Sequence, residues 1–488
     1  MGERTTWNSN YTFLMAMIGS AVGLGNIWRF PYLYYTNSQG TFLIPYLIAI
    51  LTLGLTFLLL EYSVGNKFKS SILNIYEKIH DRAPIVGWAL IISIFLITTY
   101  YIVIVGWDLI YFFLSFTKGW GSDPNSFFTT SVLHSSTVFS FVPLIAIFIL
   151  VIWILTWYIC HKDLNDGIGK SSNILVPLIF IIMIGIVIYS LTLPGAEIGI
   201  NEFFKIDWNA LTNLNIWLAA YGQIIFSLSL GFGVVLTYAS YLPDNTNLTK
   251  NAVTTLIANC GFEVVNAIGI FSILGFMVAS SGTPFNQLIT DGTGLAFIAF
   301  PEVFNVMGQS AYILGPIFFL CILIAGITSI ISLIEAMSSS LGEKFNISRK
   351  KITTIICVLG FLVSLIYATS YGNYILTIVD SMLNNIVLIF LIIIECFLYG
   401  YILSLDSLMD ILNRNTLFKV GNWWKYLIKY IIPIILVILW VSGILSFIFT
   451  ATQLELLIRL AIVLIIVIGS VLFYYLSKKI KNRNLSIL

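Results

Sequence analysis

Two short segments place glycines and small oxygen-bearing residues where uninterrupted apolar helix would otherwise run. The first is Ser20-Ala-Val-Gly-Leu-Gly25 and the second is Ser227-Leu-Ser-Leu-Gly-Phe-Gly233. Each contains two glycines one residue apart inside a long apolar stretch. Glycine in a helix costs about 1 kcal/mol relative to alanine, so a pair invites the helix to open. Taken singly, such a pair more often means close helix packing; the matched position of the two reverses that reading in favour of opening. An opened helix in lipid leaves carbonyls without partners, tolerable only where they face protein, water or an ion. Carbonyls joined by side-chain oxygens suit a hard cation. The half-helix that restarts after the break presents N–H groups and a positive dipole end to an anion. A site built this way would accept a metal ion and a carboxylate together, which is the chemistry of amino-acid symport.

The elements that must position these segments are membrane spans. The chain has 488 residues, 59% of them hydrophobic and 9% charged, with a mean hydropathy of +0.97. A soluble domain carries about 25% charged residues, so the composition is that of a chain solvated by a lipid bilayer. A span needs roughly 20 apolar residues, and twelve such stretches are predicted: 11–35, 40–65, 84–117, 138–160, 170–192, 212–240, 248–280, 308–341, 350–369, 373–403, 423–449 and 455–478. An even count puts both termini on one side. With the termini cytoplasmic, all the lysines and arginines except Arg29, Lys118, Lys205 and Arg459 fall inside, as the positive-inside bias requires. The expectation is therefore a multi-pass protein of the cell membrane with a cytoplasmic segment 1–10 and a cytoplasmic tail 479–488. The two glycine pairs lie five spans apart, an odd offset, so the segments around them run in opposite directions. That pattern predicts an inverted repeat of spans 1–5 (11–192) and 6–10 (212–403), followed by two further helices (423–478).

Other classes find little support. The net charge is +2 and no long basic run exists, which argues against nucleic acid. The five cysteines are far apart in apolar segments and read as packing residues. Three histidines near loops, with no HExxH and no GxSxG, leave metal or nucleophilic catalysis nothing to work with. Gly167-Ile-Gly-Lys-Ser-Ser resembles part of a phosphate loop, but Leu164 stands where its first glycine is required. The four Asn-x-Ser/Thr matches, at Asn10, Asn247, Asn346 and Asn484, fall in or beside cytoplasmic segments in this topology. No cleavable signal peptide is evident, and the oligomeric state is left open.

At these residues a family resemblance enters. Gly19-Ser-Ala-Val-Gly-Leu-Gly-Asn-Ile-Trp-Arg-Phe-Pro31 resembles the first-helix signature of the neurotransmitter:sodium symporter family. Tyr238-Ala-Ser-Tyr241 after the second break and Ala325-Gly-Ile-Thr-Ser329 in the eighth span are similar to it as well. The resemblance covers essentially the whole chain. It implies the leucine-transporter fold: an all-α membrane protein of twelve helices, with a 5+5 inverted repeat, broken helices 1 and 6 and two C-terminal helices. The prokaryotic leucine transporter of this family is the reference case for that architecture.

Carried over position by position, the resemblance implies two Na+ sites. One would use the Ala21 carbonyl, Asn26, Ser227, Asn259 and the substrate carboxylate. The other would use the carbonyls of Gly19, Val22 and Ala325 with the hydroxyls of Thr328 and Ser329. A hydroxyl in a span can also simply bond back to its own helix. Position 227 is Ser where many relatives have Thr. The implied substrate pocket takes in Ala21, Gly23, Leu24, Gly25, Ile97, Tyr101, Phe226, Ser227, Ser229, Phe232, Ser329 and Leu333, with the Tyr101 hydroxyl donating to the substrate carboxylate. Monoamine carriers of the family hold Asp where this chain has Gly23, so the substrate is expected to keep its own carboxylate. The apolar members point to a neutral aliphatic or aromatic amino acid.

Gates are implied at Arg29 with Asp380 on the outer side. On the inner side they are Arg4 with Glu343, flanked by Trp7 and Tyr241. An arginine inside the membrane is functional by default. Glu263 stands one turn after Asn259, where chloride-dependent relatives have a small neutral residue, so chloride-independent transport is expected. Glu263 is also a candidate to take up a proton as sodium leaves. Glu61 and Glu395, likewise inside spans, are assigned structural hydrogen bonding. The alternatives are the same fold with proton coupling or another small zwitterion, a channel or sensor, and least of all an enzyme.

Overall fold

The computed structural model describes residues 5–135, 138–289 and 292–485. Its described residues form ten continuous helices long and apolar enough to cross a bilayer: α2 Gln39–Phe68, α3 Pro84–Ser115, α4 Pro143–Cys160, α5 Asn165–Leu191, α7 Leu248–Ser281, α8 Gly308–Phe345, α9 Arg349–Tyr367, α10 Gly372–Ile402, α11 Asn422–Thr450 and α12 Gln453–Lys479. The first span, α1, is a bent pair, Asn10–Ala21 and Gly25–Thr36, whose axes differ by 55°. The sixth, α6, is two shorter helices, Leu214–Ser227 and Val234–Ala239. Both predicted breaks are thus present, at the predicted residues.

The two breaks have different physical causes. In α6, Ser229, Gly231 and Gly233 have φ of +52°, +71° and +67°, a region glycine enters without penalty. In α1 the turn is made by Val22, whose ψ of 90° leaves the helical range, and neither glycine has positive φ. Gly23 and Gly25 are needed for space instead. A Cβ on Gly23 would lie 2.8 Å from Ser329 Oγ, and one on Gly25 would lie 2.4 Å from Phe226 Cε1.

Helix α8 is the axis of the bundle, with 89% of its most apolar window buried, against 17% for α11 and α12. It packs along α3, where Gly326 admits Val105 and Gly315 admits Ser115. The outer faces of α4, α5, α11 and α12 carry exposed Ile, Leu, Val and Phe, as a surface solvated by lipid tails requires. The described N-terminal segment and the last turns of α12 lie at the same end of the bundle. The Trp7 N–H donates to the Tyr241 carbonyl, Lys69 reaches the Leu242 carbonyl, and Tyr474 in α12 donates to the Asp81 carbonyl between α2 and α3.

Caps mark the ends of several helices. The Ser9 hydroxyl accepts from Thr12 N–H at the start of α1. Asn247 accepts from Lys250 N–H at the start of α7. Asn346 closes α8 in the left-handed conformation. Two of the four sequon asparagines are therefore helix caps.

Candidate functional site

The break in α1 frees backbone acceptors. In an unbroken helix the N–H groups of Gly23 and Leu24 would bond the carbonyls of Gly19 and Ser20. Here Gly23 N–H donates to Asn26 Oδ1 at 2.9 Å and Leu24 N–H donates to the Tyr101 hydroxyl at 3.1 Å. The Ser20 carbonyl accepts instead from the hydroxyls of Ser229 and Ser329, at 3.3 and 3.4 Å. Side chains from three other spans, Tyr101, Ser229 and Ser329, are thereby stitched to one opened turn.

Beside that turn lies a chain of donors with a single terminus. Asn26 Nδ2 donates to Asn259 Oδ1 at 2.8 Å and to Ser227 Oγ at 3.4 Å. Asn259 Nδ2 in turn donates to Ser227 Oγ. With two amide donors on its oxygen, the Ser227 hydroxyl keeps its own proton free to donate, and Glu263 is among the polar groups near it. Glu263 is fully buried and also accepts from Gln223 Nε2 at 2.6 Å and from the Tyr46 hydroxyl. Asn266, one turn beyond, donates to the carbonyls of Asn26 and Ile27 and fastens the restarted half of α1 to α7. The three side chains expected at the first cation site, Asn26, Ser227 and Asn259, are thus in mutual contact. Gln223 and Tyr46 were not expected. They face Glu263 from the helix turn before Ser227 and from α2.

The second expected group also converges, between α1 and α8. A Cβ on Gly19 would stand 3.3 Å from Thr328 Cβ. The Thr328 hydroxyl bonds the carbonyls of Ile324 and Ala325, at 3.1 and 3.0 Å, and the Ser329 hydroxyl bonds that of Ala325 at 3.2 Å. Both hydroxyls therefore make the back-bonds expected of any Ser or Thr in a span. What distinguishes Ser329 is its further reach to Ser20.

Between the breaks is a small cavity of about 40 Å³. Its wall includes Ala21, Gly23, Gly25, Ile97, Tyr101, Phe226, Ser229, Phe232, Ser329 and Leu333, all expected there, and no charged side chain. Tyr100 lines it too, although only Tyr101 was expected. Two neighbouring residues on a helix are 100° apart, and a cavity against α3 is wide enough to meet both. Two expected residues are placed differently. Leu24 turns its side chain toward Gly326 of α8, and only its backbone reaches the site. Ser227 stands behind the wall, in the donor chain.

The outer charged pair is not in contact. Arg29 lies with its guanidinium carbon 4.6 Å from the centre of the Phe226 ring, a cation–π placement. Among the described residues no ion pair within 4 Å joins it to Asp380. That carboxylate instead accepts from Asn384 Nδ2 at 2.8 Å, and Asn384 also donates to the Tyr100 hydroxyl at 3.1 Å.

At the end carrying the termini, Trp7 is buried. Its indole N–H donates to the Tyr238 carbonyl at 2.9 Å and its ring meets Tyr238 and Tyr241 edge-on. The Tyr241 hydroxyl donates to Glu335 Oε1 at 2.7 Å, and Glu335 Oε2 pairs with Arg349 at 2.6 Å. Glu335 is fully buried. Arg349 Nε also donates to the carbonyls of Cys160 and Lys162 at the end of α4. This clasp was not expected from sequence. Glu343 accepts from the Ser70 hydroxyl, Ser71 N–H and Asn74, while its expected partner Arg4 lies outside the described residues. Glu395 accepts from the Tyr76 hydroxyl at 2.5 Å, and Glu61 is fully buried in α2.

Comparison with known proteins agrees with this geometry. The model of the sodium:neurotransmitter symporter family matches residues 4–123 and 120–479. An uncharacterized sodium-dependent transporter of Methanocaldococcus jannaschii is 39% identical over 438 residues, 89% of each chain. The sodium-dependent serotonin transporter of Drosophila melanogaster is 28% identical, covering 91% of this chain and 77% of its own. The human sodium- and chloride-dependent taurine transporter is 28% identical, covering 89% and 77%. The broken first and sixth helices, the uncharged cavity between them and a family match across nearly the whole chain lead to one conclusion: this chain belongs to the sodium:neurotransmitter symporter family and is a sodium-dependent membrane transporter.

Proposed function

We propose that the chain carries a neutral, apolar amino acid into the cell together with two Na+ ions, by alternating access and without chloride. The observation that carries this reading is the make-up of the cavity wall. Freed backbone groups and hydroxyls lie at the α1 break, apolar side chains line the rest, and no charged side chain is present. A substrate held there must bring no net charge. Its carboxylate finds the Tyr101 hydroxyl, which accepts from Leu24 N–H and so has its own proton to donate. Gly23 leaves no protein carboxylate to meet a lone amine. The sodium held by Asn26, Ser227, Asn259 and the Ala21 carbonyl would share the substrate carboxylate, so each stabilises the other in a low dielectric. The second sodium would use Gly19, Val22, Ala325, Thr328 and Ser329.

Chloride independence rests on Glu263, a buried carboxylate one helical turn from Asn259 and held by Gln223 and Tyr46. The taurine carrier is named as needing chloride, and a fixed carboxylate supplies the same negative charge. Arg29 over Phe226, with Asp380 behind, forms the outer closure, and Trp7, Tyr241, Arg4 and Glu343 belong to the inner one. Residues 11–192 and 212–403 form the two inverted halves, and the lysine-rich end with both termini faces the cytoplasm.

The test is uptake of a panel of radiolabelled amino acids into proteoliposomes under an inward sodium or potassium gradient. Saturable uptake of an apolar amino acid only with sodium is the expected result. The small cavity holds only a few water-sized groups, since one needs about 10–15 Å³, and this favours a second candidate, a small zwitterion such as taurine. Uptake of that class and not of apolar amino acids would replace the first substrate. Uptake indifferent to sodium would overturn both ion sites.

A further inference from the structure

The end of the bundle that carries the termini holds a second, much larger cavity, far from the helix breaks. It measures about 560 Å³ and lies between the end of α4, the start of α5 and the start of α9. Lys162, Lys170 and Lys350 line it together with His161, Asp163 and Asp166. Lys162 sits 4.0 Å from the centre of the Tyr158 ring, while Lys170 and Lys350 are exposed and their ammonium groups make no hydrogen bond or ion pair among the described residues. Its mouth adjoins the lipid-facing surface, because Ile174 in its wall is 60% exposed and Tyr158 beside it is 56% exposed. Three ammonium groups on three chain segments, at the level where apolar surface gives way to polar, match a phosphate group at the membrane boundary. The two aspartates beside them match hydroxyl donors on the far side of that phosphate.

We propose that this cavity binds the headgroup of an anionic phospholipid such as phosphatidylglycerol, the phosphate among Lys162, Lys170 and Lys350 and the glycerol hydroxyls toward Asp163 and Asp166. The site joins segments that hold one another at this end of the bundle. Lys350 follows Arg349, which grips Glu335 and the carbonyls of Cys160 and Lys162. On its other side, Asn165 at the start of α5 exchanges hydrogen bonds with Asn8 N–H and the Thr6 carbonyl. A bound headgroup therefore ties the α4–α5 connection to α9 and supports the clasp beneath the transport site.

The test is native mass spectrometry of the full-length purified protein titrated with phosphatidylglycerol, with phosphatidylcholine as the comparison lipid. The double variant Lys170→Gln/Lys350→Gln alters only exposed side chains, and Lys425→Gln/Lys429→Gln, in the cavity near α10 and α11, serves as control. With each lysine near a membrane surface contributing about 1 kcal/mol, phosphatidylglycerol retention should fall about tenfold or more in the first variant and stay within about twofold of wild type in the second. Equal retention in both variants would overturn the site. Displacement of the lipid by millimolar inorganic phosphate would overturn its assignment to lipid and give the cavity to a soluble anion.

Discussion

Gly25 lies beneath the ring of Phe226, so close that a methyl group on the glycine would stand 2.4 Å from Cε1. The same ring carries the Arg29 guanidinium on its face. Glycine, phenyl ring and arginine thus form one stack, from the opened turn of α1 outward. Arg29 is seated on a ring of the cavity wall and not on a direct bond to Asp380.

Gly25→Ala should therefore displace Phe226 and with it Arg29. Overpacking of this kind costs about 1–3 kcal/mol, and the KM for substrate should rise about tenfold or more with protein levels near normal. Uptake kinetics set against the amount of purified protein would check this. An unchanged KM would mean that the ring swings aside freely.

Ser227 is the junction of the donor chain, and its hydroxyl is the part that matters. Ser227→Ala should raise the sodium concentration for half-maximal uptake about tenfold or more, since hydrogen bonds and contacts to charged groups contribute about 1.5–3 kcal/mol and each 1.4 kcal/mol is a factor of ten. Ser227→Thr keeps the hydroxyl and should stay near wild type. Equal behaviour of the two variants would remove Ser227 from the ion site.

Replacing Glu263 by Ser removes a carboxylate from the vicinity of Ser227 and Asn259. Sodium-driven uptake should then become dependent on chloride, tested by exchanging chloride for gluconate. Uptake by Glu263→Ser that proceeds equally in gluconate would refute the charge-substitution idea.

The clasp of Tyr241, Glu335 and Arg349 ties α6, α8 and α9 together at the other end. Breaking one partner of a buried ion pair costs about 3–5 kcal/mol, so Glu335→Gln should shift the protein toward opening at that end. Cys160 is fully buried there, its carbonyl bonded by Arg349. Maleimide labelling, located by peptide mapping, should reach Cys160 several times faster in the variant. No change in its labelling would show that the clasp does not govern access.

Much of this was legible in the residues because lipid makes hydropathy decisive. A run such as 308–341 can only be buried in protein or lipid, and α8 duly spans Gly308–Phe345. The glycine pairs located both breaks, but their like spelling concealed unlike causes: left-handed backbone in α6, close approach in α1. The clasp escaped because Glu335 is one acid among several in apolar helices, while Arg349 sits in an Arg-Lys-Lys run that reads as ordinary positive-inside charge. Pairing between α8 and the start of α9 depends on where the turn at Asn346 sends the chain. Leu24 meets the site through its backbone N–H alone, because the opened turn rotates its side chain toward α8, and a motif does not record that rotation. Arg29 and Asp380 are both near the cavity, yet a ring stands in reach of one and an amide in reach of the other.

The backbone bond from Trp7 to the Tyr241 carbonyl makes the N-terminal segment a mechanical part of the transporter. A load applied to that segment is passed within a few residues to the joint between α1 and α6, so force and position at the chain's start and at the sixth helix are shared quantities.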